Sequence, residues 1–121
     1  MKGVKTMKEE TIKEEAIKEE EERVQTIILR KPVKYAGKEY AELSFDFDVL
    51  TGLDSLNIER ELASLGKSSI PLALNSEYLI RIAAKACTSN VGSDIFTSYM
   101  SLLDHLEVTK MARNFLLRGV L

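Results

Sequence analysis

The chain holds one cysteine and one histidine among its 121 residues, and each scarcity removes a chemistry. Cys87 alone cannot close an internal disulfide, which suits a reducing compartment. One Cys and one His cannot supply the ligands of a structural zinc site. A catalytic histidine needs an oriented partner and a nucleophile, and His105 reads instead as a surface or half-buried imidazole. No apolar run approaches the ~18 residues of a membrane span. The basic residues at the N-terminus are not followed by the apolar stretch of a signal peptide. The net charge is only −2, with no basic excess to suit nucleic acid or an anionic membrane.

What is present is unevenly distributed. Residues 1–24 carry six Lys or Arg and eight Glu, whereas the remaining 97 residues carry eleven of each sign. The acidity therefore belongs to an N-terminal arm, and residues 25–121 form one electroneutral α+β domain. The arm repeats a five-residue unit at Met7–Thr11, Ile12–Ala16 and Ile17–Glu21. A step of five advances an α-helix by ~140° beyond a full turn, so Met7, Ile12 and Ile17 build no apolar stripe. Glu–Lys or Glu–Arg pairs four apart add roughly 0.2–0.5 kcal/mol each, too little to order a short helix. The arm is expected to be charged, helical or disordered, and dispensable for folding.

From Gln25 the period changes. Thr26–Arg30 is β-rich, Pro32 belongs at a strand end or edge, and Ala36-Gly37 marks a turn. Leu43, Phe45 and Phe47 alternate with Ser44 and Asp46, which places the former inward and the latter toward water. Two strands alone are marginal, so this hairpin must pack on helices, of which about four follow, or pair with another chain. Thr51 with Asp54 is a capping-box-like start, and Gly66 suits the helix end. Leu53, Leu56, Ile58, Leu62 and Leu65 form no single stripe, which implies burial on two sides. Asn75 or Ser76 caps the next helix, whose Leu79, Ile82, Ala83 and Ala86 are spaced for one buried face. Ile95, Phe96, Tyr99, Met100 and Leu103 form another stripe. Asp104 and Glu107 suggest a second capping pair, before Val108, Met111, Ala112 and Phe115.

Motifs that hint at chemistry fail on inspection. Gly66-Lys67-Ser68 resembles the end of a phosphate loop, but Glu61 stands where that loop needs glycine. Asp46, Asp48 and Asp54 resemble a calcium loop, but Thr51 and Asn57 occupy its glycine and glutamate positions. Asp46 and Asp48 could pair as catalytic carboxylates, yet no second polar cluster completes a site. Cys87 reads as a small buried hydrophobe.

The order of segments carries a resemblance. The run I-I-L-R-K-P-V-K-Y-A-G-K-E-Y-A-E-L-S-F-D-F-D-V-L-T-G-L-D, from Ile27 to Asp54, resembles the opening of the tail assembly chaperones of long-tailed bacterial viruses. Ala83–Ala86 resembles their Ala-rich central helix, and Asp104 with Ala112–Leu116 resembles their closing helix. The resemblance spans residues 25–118 and implies a role without catalysis or cofactor. Such proteins bind the long apolar tape-measure protein in the bacterial host cytoplasm. They then give way as the major tail protein polymerises around it. Some members have a longer frameshifted product, and this chain would match the short one. The last helix carries more large apolar residues than one face needs. Phe115, Leu116, Leu117 and Leu121 are therefore candidate partner-binding residues, with core closure as the alternative. Self-association, as a homo-oligomer, stays open. A small regulatory or adaptor protein that binds one folded partner is the competing reading.

Overall fold

The computed structural model describes residues 23–67 and 72–118. Within them the architecture is α+β: an antiparallel hairpin packed on helices, as the order of periods implies. The arm repeat, Pro71, Gly119 and Leu121 lie outside the described residues.

Strand β1 (Gln25–Tyr35) pairs with β2 (Lys38–Phe45). Ala36 and Gly37 join them with φ of 50° and 79°. Two positive φ values define the tight hairpin turn whose twist matches the strands. Glycine takes that conformation freely, while alanine does so at a cost. Ile27, Leu29 and Val33 from β1 and Leu43 and Phe45 from β2 point into the core. The ladder is broken once. Ile28 faces Glu42 and Val33 faces Tyr40, so Leu29–Pro32 oppose Ala41 alone. Pro32 sits in this bulge, where its missing N–H breaks no ladder bond. On its far edge β2 meets the segment after the central helix. Asp46 N–H donates to the Ala86 carbonyl at 2.8 Å, and Thr88 N–H donates to the Ser44 carbonyl at 2.9 Å.

The strand ends at Phe45, and Phe47–Val49 forms a single 3-10 turn. The expectation that Asp46 faces water is therefore corrected. Asp46 is buried, accepts from Asp48 N–H at 3.2 Å and pairs with Arg23 at 3.3 Å. Strand alternation stops applying once the chain turns. Ser44 is half-buried, its hydroxyl 2.8 Å from that of Thr26.

Helix α1 (Gly52–Ser64) begins at the expected capping box, with Thr51 N–H 2.8 Å from the Asp54 carboxylate. It ends with Gly66 at φ +68°. Gly66 N–H reaches the Ala63 carbonyl and Lys67 N–H reaches that of Leu62, the paired bonds of a glycine-terminated helix. Burial is one-sided, not two-sided. Ile58 and Leu62 reach the core, while Leu53, Leu56 and Leu65 remain exposed.

Asn75 caps α2 (Ser76–Ala86) by accepting from Tyr78 N–H at 3.2 Å. This central helix buries Tyr78, Leu79, Ile80, Ile82, Ala83 and Ala86. The stripe after it is divided. Ile95–Tyr99 makes one π turn that buries Ile95 and Phe96, and α3 (Leu102–Arg118) starts beyond Met100. Tyr99 and Leu103, expected in that stripe, are exposed. Phe45 ties the layers together, its ring 6.0 Å from Phe96 and 6.1 Å from Phe47.

Candidate interaction surface

The junction of β1 with α3 positions a group of exposed leucines. Ser101, not Asp104, stands before α3, and its hydroxyl accepts from Asp104 N–H at 3.4 Å. Asp104 is thus the third helical residue, and it is fully buried. Its carboxylate is not confined to the Ser101 hydroxyl at its own helix end. It reaches the β1 bulge, accepting from Arg30 N–H at 3.0 and 3.2 Å and from the Arg30 guanidinium at 3.1 Å. Lys31 N–H adds a longer contact at 3.5 Å. The bulge frees these N–H groups from the ladder, and the carboxylate satisfies them. Burial pushes the Asp104 carboxyl up. The Arg30 N–H, Ser101 hydroxyl, Lys31 N–H and Arg30 guanidinium outweigh it and hold the pKa below the ordinary aspartate value. The expected Asp104–Glu107 cap is therefore replaced by a Ser101–Asp104 start and a long-range anchor.

Anchored in this way, α3 turns Asp104, Val108, Thr109 and Ala112 inward. Its opposite side carries leucines as well, among the exposed Glu107, Lys110 and Asn114. Leu102 is 70% exposed, Leu103 56%, Leu106 50% and Leu117 41%. Residues 103, 106, 110, 113 and 117 fall at i, i+3, i+7, i+10 and i+14, one seam along the helix. The third and fourth members are cations: Lys110 is exposed, and half-buried Arg113 donates to the Ala73 carbonyl at 3.0 Å. Helix α1 repeats the arrangement on a smaller scale. Leu53 and Leu56 share the side away from Ile58 and Leu62.

The expected partner-binding residues separate. Phe115 and Leu116 are half-buried and pack against the core, with the Phe115 ring 5.1 Å from Phe47 and nearly parallel to it. Leu117 is exposed. The expected set thus straddles core and surface, and Leu121 lies outside the described residues. Sequence reasoning missed Leu102, Leu103 and Leu106 as surface residues. Their signal was the leucine spacing, which α3 shares with Leu117.

The remaining polar groups form structural contacts. His105 is half-buried, with Nδ1 2.7 Å from the Phe96 carbonyl. Cys87 ends α2 beside β2, and burial raises its thiol pKa, which disfavours the nucleophilic thiolate. Among the described residues, no group of three or more His, Cys, Asp or Glu could hold a metal ion. A cavity of about 210 Å³ lies beside Glu61, Arg81 and Lys85. It is below the roughly 300 Å³ at which small-molecule pockets begin, and Glu61 already pairs with Arg81 at 2.8 Å. No described helix is long and apolar enough to cross a membrane. Searches against protein-family models, curated proteins and solved structures return no match to this chain.

Proposed function

We propose that the chain is a non-catalytic tail assembly chaperone of a long-tailed bacterial virus. It acts in the bacterial host cytoplasm, binding the tape-measure protein and keeping it soluble until the major tail protein replaces it. One observation carries this reading. The outer sides of α1 and α3 keep leucines in shared-face groups although their inner sides already fill the core. Scattered apolar residues on a surface are ordinary, but grouped ones mark a binding face. A client holder works by covering apolar surface, and it requires neither a nucleophile nor a cofactor. The ordered resemblance over residues 25–118 supplies the identity of the client.

Co-expression tests the reading. The wild-type protein should keep its cognate tape-measure protein soluble and co-purify with it. The complex should persist in 1 M salt, where screening acts beyond about 3 Å, because apolar contact dominates. Leu106→Glu should leave folding intact and release the client. A wild-type protein that never co-purifies with the intact client overturns the assignment. A stable one-to-one complex with a folded globular protein instead would establish the adaptor reading.

A further inference from the structure

Helix α1 is held to the fold through one neighbour. Among the described residues it packs on α2 and meets no other element as extensively. Of its 13 residues only Ile58 and Leu62 are buried, whereas α2 buries Tyr78, Leu79, Ile80, Ile82, Ala83 and Ala86 out of 11. Two polar contacts complete its seat. The Ser55 hydroxyl meets that of Tyr78, and the Glu61 carboxylate accepts from Arg81 at 2.8 Å. The seat is imperfect, since Arg81 Nε is buried and no described acceptor meets it. A buried donor without a partner costs free energy in the closed form, and opening relieves that cost.

The fixed points of the chain lie just outside the helix. Before it, Leu50 packs on the core. After it, the Lys67 carbonyl accepts from Asn75 Nδ2 at 3.2 Å, which ties it to the cap of α2. Thr51 and Gly66, next to these points, are exposed and free to absorb a turn of the backbone. The rest of the core has its own ties. Phe45 holds Phe47 and Phe96, and Asp104 fastens α3 to β1.

We propose that α1 is a reversible lid on α2, opening about Thr51 and Gly66 as one unit while the hairpin, α2 and α3 stay folded. An isolated helix of this length is marginal in water, so α1 unwinds when it leaves α2. Opening releases Ile58 and Leu62 and uncovers Tyr78, all buried in the closed form. Segments with few buried apolar contacts open locally, below the free energy of global unfolding. This opening depends on packing alone and not on the identity of any client.

Native-state hydrogen exchange of the full chain, followed by NMR, tests the lid. The amides of residues 56–64 should share one protection factor, at least about a hundredfold below that of the slowest amides of α2. Their exchange should respond only weakly to low urea, because the opening exposes little surface. Asp104→Asn separates the two units. It weakens the junction of β1 with α3, so it should speed the slow amides of α2 and α3 by more than about tenfold and leave those of α1 unchanged. Protection of α1 equal to that of α2 overturns the proposal, since the fold then opens only as a whole. So do α1 rates that rise in step with those of α2 in Asp104→Asn. A gradient of protection along α1, in place of a common value, means fraying from one end and overturns it equally.

Discussion

Replacing Asp104 by asparagine removes one charge and changes little in shape. The side chain is fully buried and accepts from the Arg30 N–H at 3.0 Å and from the guanidinium at 3.1 Å. Hydrogen bonds to a charged group are worth roughly 1.5–3 kcal/mol each, and removing one partner of a buried pair costs roughly 3–5 kcal/mol. Asparagine retains one acceptor oxygen but aims an NH₂ at another donor. We therefore expect Asp104→Asn to cost about 2–3 kcal/mol and Asp104→Ala about 3–5 kcal/mol. Urea unfolding should report the former as a midpoint lowered by about 1–2 M, for a slope near 1.5–2 kcal/mol/M. The Arg30 guanidinium side is half exposed. Arg30→Met should cost no more than about 1 kcal/mol, because solvent screens that contact and the backbone donors remain. The pH dependence follows from the lowered pKa. A depressed folded-state value gives stability that is fully present above the unfolded aspartate value, near ~3.9. That stability is lost as pH falls through the folded-state value. The gap between wild type and Asp104→Asn should be constant from pH 7 to 5 and narrow progressively as pH falls below about 4. A neutral Asp104→Asn, or a gap unchanged at pH 2, would refute the anchor.

Two further substitutions test the hairpin. Ala36→Asn places Asn-Gly in a turn where both residues have positive φ, and should raise stability by about 0.5–1 kcal/mol in the same urea assay. Phe45→Ala removes a fully buried ring that contacts Phe47 and Phe96, and should cost about 3–5 kcal/mol, read as a fall in Tm.

Local rules read much of this fold directly. The alternation at Leu43 and Phe45, the Thr51–Asp54 cap, the Gly66 terminus and the Asn75 cap each involve residues within a few positions of one another. Asp104 shows where such reading stops. Its partner Arg30 lies 74 residues away and offers its N–H only because four residues bulge out of β1. Asp46 fails for a related reason: its outward assignment assumed a strand that has already ended at Phe45. At α1 the sequence exposes a two-sided apolar pattern. Periodicity cannot say whether the second side meets this chain or another molecule. The same ambiguity governs the last helix, where Phe115 turns to the core and Leu117 to the surface two residues apart.

The two sides of α3 are held by different demands. Inward, Val108 and Ala112 must fit a core closed around Phe45 and Phe96, so their size is set by packing. Outward, no such constraint acts on Leu102, Leu103 or Leu106. Charged residues there would leave the fold within about 0.5 kcal/mol of its stability. Folding therefore gives no reason for leucine at these positions, whereas association does. The Asp104 anchor adds to this. A docking helix free to fray would have to be ordered on binding, which costs affinity. Here the turn carrying Leu102, Leu103 and Leu106 is fastened to the strand by the buried carboxylate within it. One helical turn thus carries the buried charge inside and exposed leucines outside, an arrangement that suits the binding role we propose.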